Sequence, residues 1–144
     1  MRNLGAWIIA VTILVFSIVA SSGFTVVYAF SGAGSGTGAD PYVITTVGQL
    51  QEMNNELDAW YVLGTNIDAA ETSGWNSGQG FNPIGDFTVP FTGNFDGRGY
   101  AIRNLYINRP AENEVGLFGR IGLGANIQNV GLVDVDITGN GDVG

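Results

Sequence analysis

Two aspartates two positions apart, Asp134 and Asp136, are the residues of this chain whose type and spacing best suit chemistry, with Asp96 as a third carboxylate upstream. Carboxylates grouped in this way are hard oxygen donors of the kind Ca²⁺ takes. Arg103 and Arg109 are the cations near them in sequence, and the only side chains there that could serve such an ion as a base. The plainer reading makes Asp134 and Asp136 the wet side of a half-buried strand, where every second position is polar. Two carboxylates acting on a glycosidic bond need a set separation across a cleft, and an acidic chain offers some pair by chance. No residue is therefore assigned a catalytic, cofactor-binding or metal-binding role. No cofactor is expected, with Ca²⁺ the one ion that the aspartates suit.

Composition removes several other chemistries. The 144 residues carry 13 Asp and Glu against 5 Lys and Arg, a formal net charge of −8, with no His and no Cys. All five cations are Arg. A chain so acidic lacks the clustered cations that phosphate backbones require, so nucleic acid is not expected as a partner. Without His there is no ordinary general base or imidazole ligand. Without Cys there is no thiolate nucleophile, zinc–thiolate site or disulfide. The 23 glycines suit an all-β chain with many tight turns, since Gly takes positive φ without strain.

The elements that must position these residues are read from a repeat. Ala101-Ile102-Arg103-Asn104-Leu105-Tyr106-Ile107 lies above Asn126-Ile127-Gln128-Asn129-Val130-Gly131-Leu132 at an offset of 25. Gly93-Asn94-Phe95 resembles Gly116-Leu117-Phe118, and Glu114-Val115-Gly116 returns as Asp142-Val143-Gly144. A period in the twenties carried by Gly and β-branched residues signals a β-solenoid. On that reading Ile102 and Ile127, Leu105 and Val130, and Ile107 and Leu132 stack inward in successive rungs. Asn104 over Asn129 forms an amide ladder at a corner, and Phe95 stacks with Phe118. Beyond Leu132 the phase changes, because Val133, Val135 and Ile137 alternate with the two aspartates. A corner or bulge near Leu132 is expected.

Taken in order, the chain begins with Arg2 and then the apolar run Leu4 to Ala20, the pattern of an export signal or a membrane anchor over 1–29. Cleavage is expected after Ala29, with Ala20-Ser21-Ser22 as a second candidate. Residues 30–39, FSGAGSGTGA, read as a flexible Gly/Ser spacer; no Lys follows, so a P-loop is not supported. Residues 40–144 are expected to form the N-terminal part of the solenoid domain, truncated at its C-terminal end. Tyr42-Val43-Ile44 starts it as a strand. Thr46 and Gln49 have capping-box spacing, and Val47, Leu50, Met53, Leu57 and Trp60 fall on one helical face. An amphipathic helix of about three turns is expected there, covering the open end of the solenoid. Trp75, in the polar loop Glu71 to Gly80, suits stacking on a sugar ring, but packing over the coil below is the expected role.

These residues resemble a known family. Asp40-Pro41-Tyr42-Val43-Ile44, Tyr61-Val62-Leu63 and Asn66-Ile67-Asp68 are similar to the opening of bacterial and archaeal surface proteins that carry GLUG motifs. Phe81-Asn82-Pro83-Ile84-Gly85, Phe91-Thr92-Gly93-Asn94-Phe95-Asp96-Gly97 and Val115-Gly116-Leu117-Phe118-Gly119 continue the likeness. Tyr100 departs from it, standing where the family often has His. The resemblance implies a right-handed parallel β-helix of the pectin-lyase-like kind in a secreted or surface-attached, adhesin-like protein. It implies no reaction.

The resulting expectation is an exported, non-enzymatic structural or adhesive module. Its partners would be a surface polysaccharide or a cell-surface protein, and its only membrane contact would be through the N-terminal apolar segment. The alternative is a carbohydrate-active β-helix enzyme, a Ca²⁺-dependent polysaccharide lyase using Asp134 and Asp136. The last residues look like the start of a further coil, so the solenoid end is expected to be open and to self-associate.

Overall fold

A computed structural model describes residues 29–141. Apart from Ala29, the expected signal or anchor lies outside the described residues, as does Asp142-Val143-Gly144. No helix among the described residues is long and apolar enough to cross a membrane.

The order of elements is β1 (Tyr42–Ile44), α1 (Val47–Glu52), β2 (Trp60–Leu63), β3 (Ile67–Asp68), β4 (Asn94–Asp96), β5 (Ala101–Arg103), β6 (Tyr106–Asn108), β7 (Asn126–Gln128), β8 (Gly131–Val133) and β9 (Asp136–Thr138). The strands form three sheets, ordered β1-β2-β4-β7, β3-β5-β8 and β6-β9. Every ladder pairing is parallel. Parallel neighbours cannot be joined by a hairpin. From β4 onward the chain visits the three sheets in turn and comes back to the first one strand further along, whereas the earlier passes lay down β1 alone and then β2 and β3.

The register corrects the expected period. Ile102 is paired with Leu132 and Ile67, not with Ile127, whose partner is Phe95. Ile107 is paired with Ile137. The Asn104–Asn129 ladder is likewise absent, because these residues follow strands of different sheets. The 25-residue likeness has another physical cause: it compares faces, not layers. β5 and β6 begin five residues apart, as do β7, β8 and β9. Each such unit is a three-residue strand followed by a corner. Asn104, Asn129 and Asp134 occupy the corners with φ of 58°, 55° and 54°. Asn and Asp tolerate this left-handed region best among residues with a Cβ. One strand-and-corner unit therefore resembles another wherever it falls, and the strongest internal match joins two different sheets. The phase change expected near Leu132 occurs at the Asp134 corner, two residues later.

The core follows from the true register. Tyr42, Tyr61, Phe95 and Ile127 form one column across the first sheet. Ile67, Ile102 and Leu132 form another. Ile102, Leu105 and Ile107 are buried as expected, whereas Leu132, in the last layer, is 38 % exposed. Phe95 meets Phe118 edge-to-face at 5.6 Å rather than by stacking. Phe118 is instead bridged to Ile84, so Val115–Gly119 lies directly against Asn82–Gly85. The Gly119 N–H donates to the Ile84 carbonyl at 3.0 Å. A Cβ at Gly119 would come within 2.5 Å of the Gly85 carbonyl oxygen, so only Gly allows this approach.

The helix is shorter than its apolar stripe suggests. The capping box is present: Thr46 Oγ1 accepts the Gln49 N–H at 3.2 Å, and Gln49 Oε1 accepts the Thr46 N–H at 3.3 Å. Val47, Leu50 and Met53 are buried. Yet α1 ends at Glu52 and passes through a single tight turn over Met53–Asn55. Leu57 lies beyond the turn, and Trp60 begins β2 with 45 % exposure. The reason lies in Asn54, a weak helix former whose side chain binds elsewhere. Its Oδ1 accepts the Gly85 N–H at 3.0 Å, and its Nδ2 donates to the Pro83 carbonyl at 3.2 Å. Gln51 likewise exchanges two bonds with the Asn82 backbone, at 2.8 and 2.9 Å.

The segment expected as a spacer over 30–39 is folded against the domain. The Val43 N–H donates to Ala33 at 2.8 Å, and the Trp60 N–H to Gly36 at 2.9 Å. Phe30 lies on Tyr42 with ring centroids 4.5 Å apart. Its glycines serve close approach, not flexibility. A Cβ at Gly34, where φ is +99°, would sit 2.1 Å from the Pro41 carbonyl oxygen.

Candidate functional site

The carboxylates singled out in sequence are not brought together. Asp134 is a corner residue between β8 and β9, while Asp136 opens β9 opposite Tyr106. They do not share one strand, because the backbone turns at Asp134. Asp96 belongs to a different sheet and has its own partners. Its Oδ1 accepts the Arg98 N–H at 2.8 Å and the Asn129 amide at 3.1 Å, and its Oδ2 accepts the Gln128 amide at 3.1 Å. The Arg98 N–H, then the Asn129 amide, hold the carboxyl below the ordinary aspartate range. Among the described residues no three His, Cys, Asp or Glu side chains converge as metal ligands do.

Asp96 is one case of a repeated corner. At the equivalent place on β3, Asp68 Oδ1 accepts the Asn104 amide at 3.0 Å and the Ala70 N–H at 3.1 Å. Those bonds, the Asn104 amide first, also lower its pKa. An aspartate at a strand end thus clamps its own turn and catches the corner Asn of the next layer. This Asp–Asn clamp takes the place of the expected Asn–Asn ladder.

The two arginines separate as well. Arg103 sits on β5, in register with Asp68 and Val133. Arg109 follows β6 and is only 9 % exposed. Its Nη1 donates to Glu112 at 3.1 and 3.3 Å, and its Nε donates to the Phe81 carbonyl at 3.3 Å.

Arg109 also lines a cleft of about 560 Å³. Gln51, Asn54 and Asn55 line one side, and Trp75, Asn76, Gln79 and Asn82 the other. Gln51 and Asn54 fix α1 to the Asn82–Gly85 turn, so both walls are tied together. Trp75 stacks on Phe81 at 6.5 Å with 24° between the rings, which meets the expected packing role, and it lines the cleft as well. The loop that carries it holds three successive left-handed residues, Asn76, Ser77 and Gly78, with φ of 50°, 57° and 86°. The Asn76 amide bonded to the Gly80 carbonyl at 2.7 Å closes that loop. A second hollow of about 410 Å³ shares Asn54 and Asn82 and adds Asp86, Glu112 and Glu114.

Sequence reading missed this cleft. Its amides come from two stretches some twenty residues apart, with no spacing that links them. The one available signal is the density of Asn and Gln between Gln49 and Asn82.

Comparison with known proteins gives partial matches. The chain is 42 % identical over 117 residues to Halomucin of Haloquadratum walsbyi, covering 77 % of this chain and 1 % of that protein. It is 34 % identical over 134 residues to a Gly-rich membrane protein of Evansella cellulosilytica, covering 92 % of this chain and 15 % of that protein. It is 34 % identical over 95 residues to the Immunoglobulin A1 protease of Streptococcus sanguinis, covering 66 % of this chain and 5 % of that protein. The chain thus spans a small part of each curated relative it matches. No family model and no solved structure matches it.

Proposed function

We propose that the chain is a non-enzymatic structural and adhesive module of an exported surface protein, built as a right-handed parallel β-helix. The observation that carries this reading is the all-parallel register, in which successive passes of the chain add strands to the same three sheets and the last two passes add one strand to each. Such a column is stiff along its axis and presents its turns sideways, as a stalk that displays contact loops does. The likeness of Val115-Gly116-Leu117-Phe118-Gly119 to GLUG motifs supports it. So does the similarity to proteins named as a mucin and as a membrane protein. The cleft supports a binding role over a catalytic one: its lining is amide, aromatic and guanidinium, without a paired carboxylate.

The test is surface shaving of intact native cells, with an epitope inserted between Leu123 and Gly124. Leu123 is fully exposed and Gly124 has open space around it, so an insertion there leaves the strand ladders in place. The epitope is expected to be labelled and released by external protease. Retention inside sealed cells contradicts the reading.

A further inference from the structure

We propose that the cleft between Gln51–Asn55 and Trp75–Asn82 is a binding site for neutral saccharide units. Its volume of about 560 Å³ suits a small ligand. Sugar hydroxyls both donate and accept hydrogen bonds, and a side-chain amide offers both functions from one rigid plane. Asn55, Gln79 and Asn82 line the cleft, and their side chains make no hydrogen bond to the described residues. Their bonding capacity is turned to the cleft or to water.

Trp75 supplies the complementary apolar face. Phe81 supports its ring from one side, so the indole is held in place before a ligand arrives. Preorganisation of this kind lowers the entropy cost of binding. The run of left-handed residues at Asn76–Gly78 points the same way, since strain of this sort persists where a loop must hold a set shape.

Charge selects the class of sugar. Arg109, the only cation in the lining, is already neutralised by Glu112 at 3.1 Å. The cleft therefore offers no unmatched positive charge for a carboxylate or sulfate, and a chain of net charge −8 repels polyanions. Neutral glycans are favoured over uronates.

This inference deepens the adhesive reading and rests on it only for where the glycan is met. Surface shaving reads location without any ligand, so either can fail alone. The experiment is a ¹H–¹⁵N NMR titration of the purified chain with neutral gluco- and manno-oligosaccharides, and in parallel with oligogalacturonate. The expected result is saturable movement of the Trp75 indole N–H and the Gln79 amide by a neutral oligosaccharide, with the Trp60 indole unmoved. Trp75→Ala is expected to weaken binding about tenfold. Gln79→Ala, at an exposed position that should leave folding intact, is expected to weaken it several-fold. No saturable binding of a neutral sugar at millimolar concentration overturns the proposal. So does a preference for the uronate, or binding that survives both substitutions in folded variants.

Discussion

At the scale of single residues, Asp96 and Asp134, which look chemical in sequence, prove to be corner pieces, while Asp136 opens a strand. Asp68 and Asp96 accept amide and backbone hydrogens, and both carboxyls are held below the ordinary aspartate value of 3.8. A carboxyl whose pKa falls on folding contributes stability that is fully present above the unfolded value. That stability is lost as pH drops through the lower folded value. Chemical denaturation midpoints should therefore be flat from pH 7 to about 5 and fall as pH drops below about 4. Asp96→Asn should reduce that acid-side slope. An unchanged slope in that variant would show that the Asn129 and Gln128 contacts to Asp96 do not form in solution.

At the scale of elements, the strands were legible and their mutual pairing was not. Tyr42–Ile44, the Ala101–Ile107 pair and the all-β character followed from β-branched residues and Gly-rich turns. The layer spacing did not, because a strand-and-corner unit of five residues recurs on every face and the closest sequence match crosses from one sheet to another. The helix was misjudged in length for a related reason. Leu57 and Trp60 continue a helical spacing by coincidence, while the tertiary bonds of Asn54 decide where the helix stops. The cleft was illegible because its two walls lie far apart in sequence, and the hydrogen bonds that join them among the described residues come from Gln51 and Asn54.

The folded 30–39 segment was read as a linker because glycine signals both freedom and close contact. Gly34→Ala distinguishes the two. Added to the penalty for positive φ is a collision with the Pro41 carbonyl, which as backbone cannot yield. Thermal melts should show a loss of roughly 1–3 kcal/mol. Gly99→Ala, at φ +81° with open space around it, should lose only the backbone cost of about 1 kcal/mol. Equal melting points for wild type and Gly34→Ala would mean that the segment is a free spacer after all.

At the scale of the whole molecule, charge and layering dominate. The chain has a net charge of −8 and no Lys. Only two ion pairs form among the described residues, Arg109–Glu112 and Arg120–Glu114. Screening therefore relieves more repulsion than it removes attraction. The melting temperature should rise between about 10 mM and 500 mM NaCl. A fall over that range would show that attraction, not self-repulsion, governs the acidic surface.

The layered architecture itself rests on which carbonyl each ladder amide meets, and NMR couplings across hydrogen bonds read this directly. The predicted correlations run from the Gly97 amide to the Gln128 carbonyl, from Asn104 to Val133, and from Asp136 to Leu105. An Asn104 amide coupled to the carbonyl of Gln128 or Asn129 would restore the 25-residue period and contradict the three-sheet register.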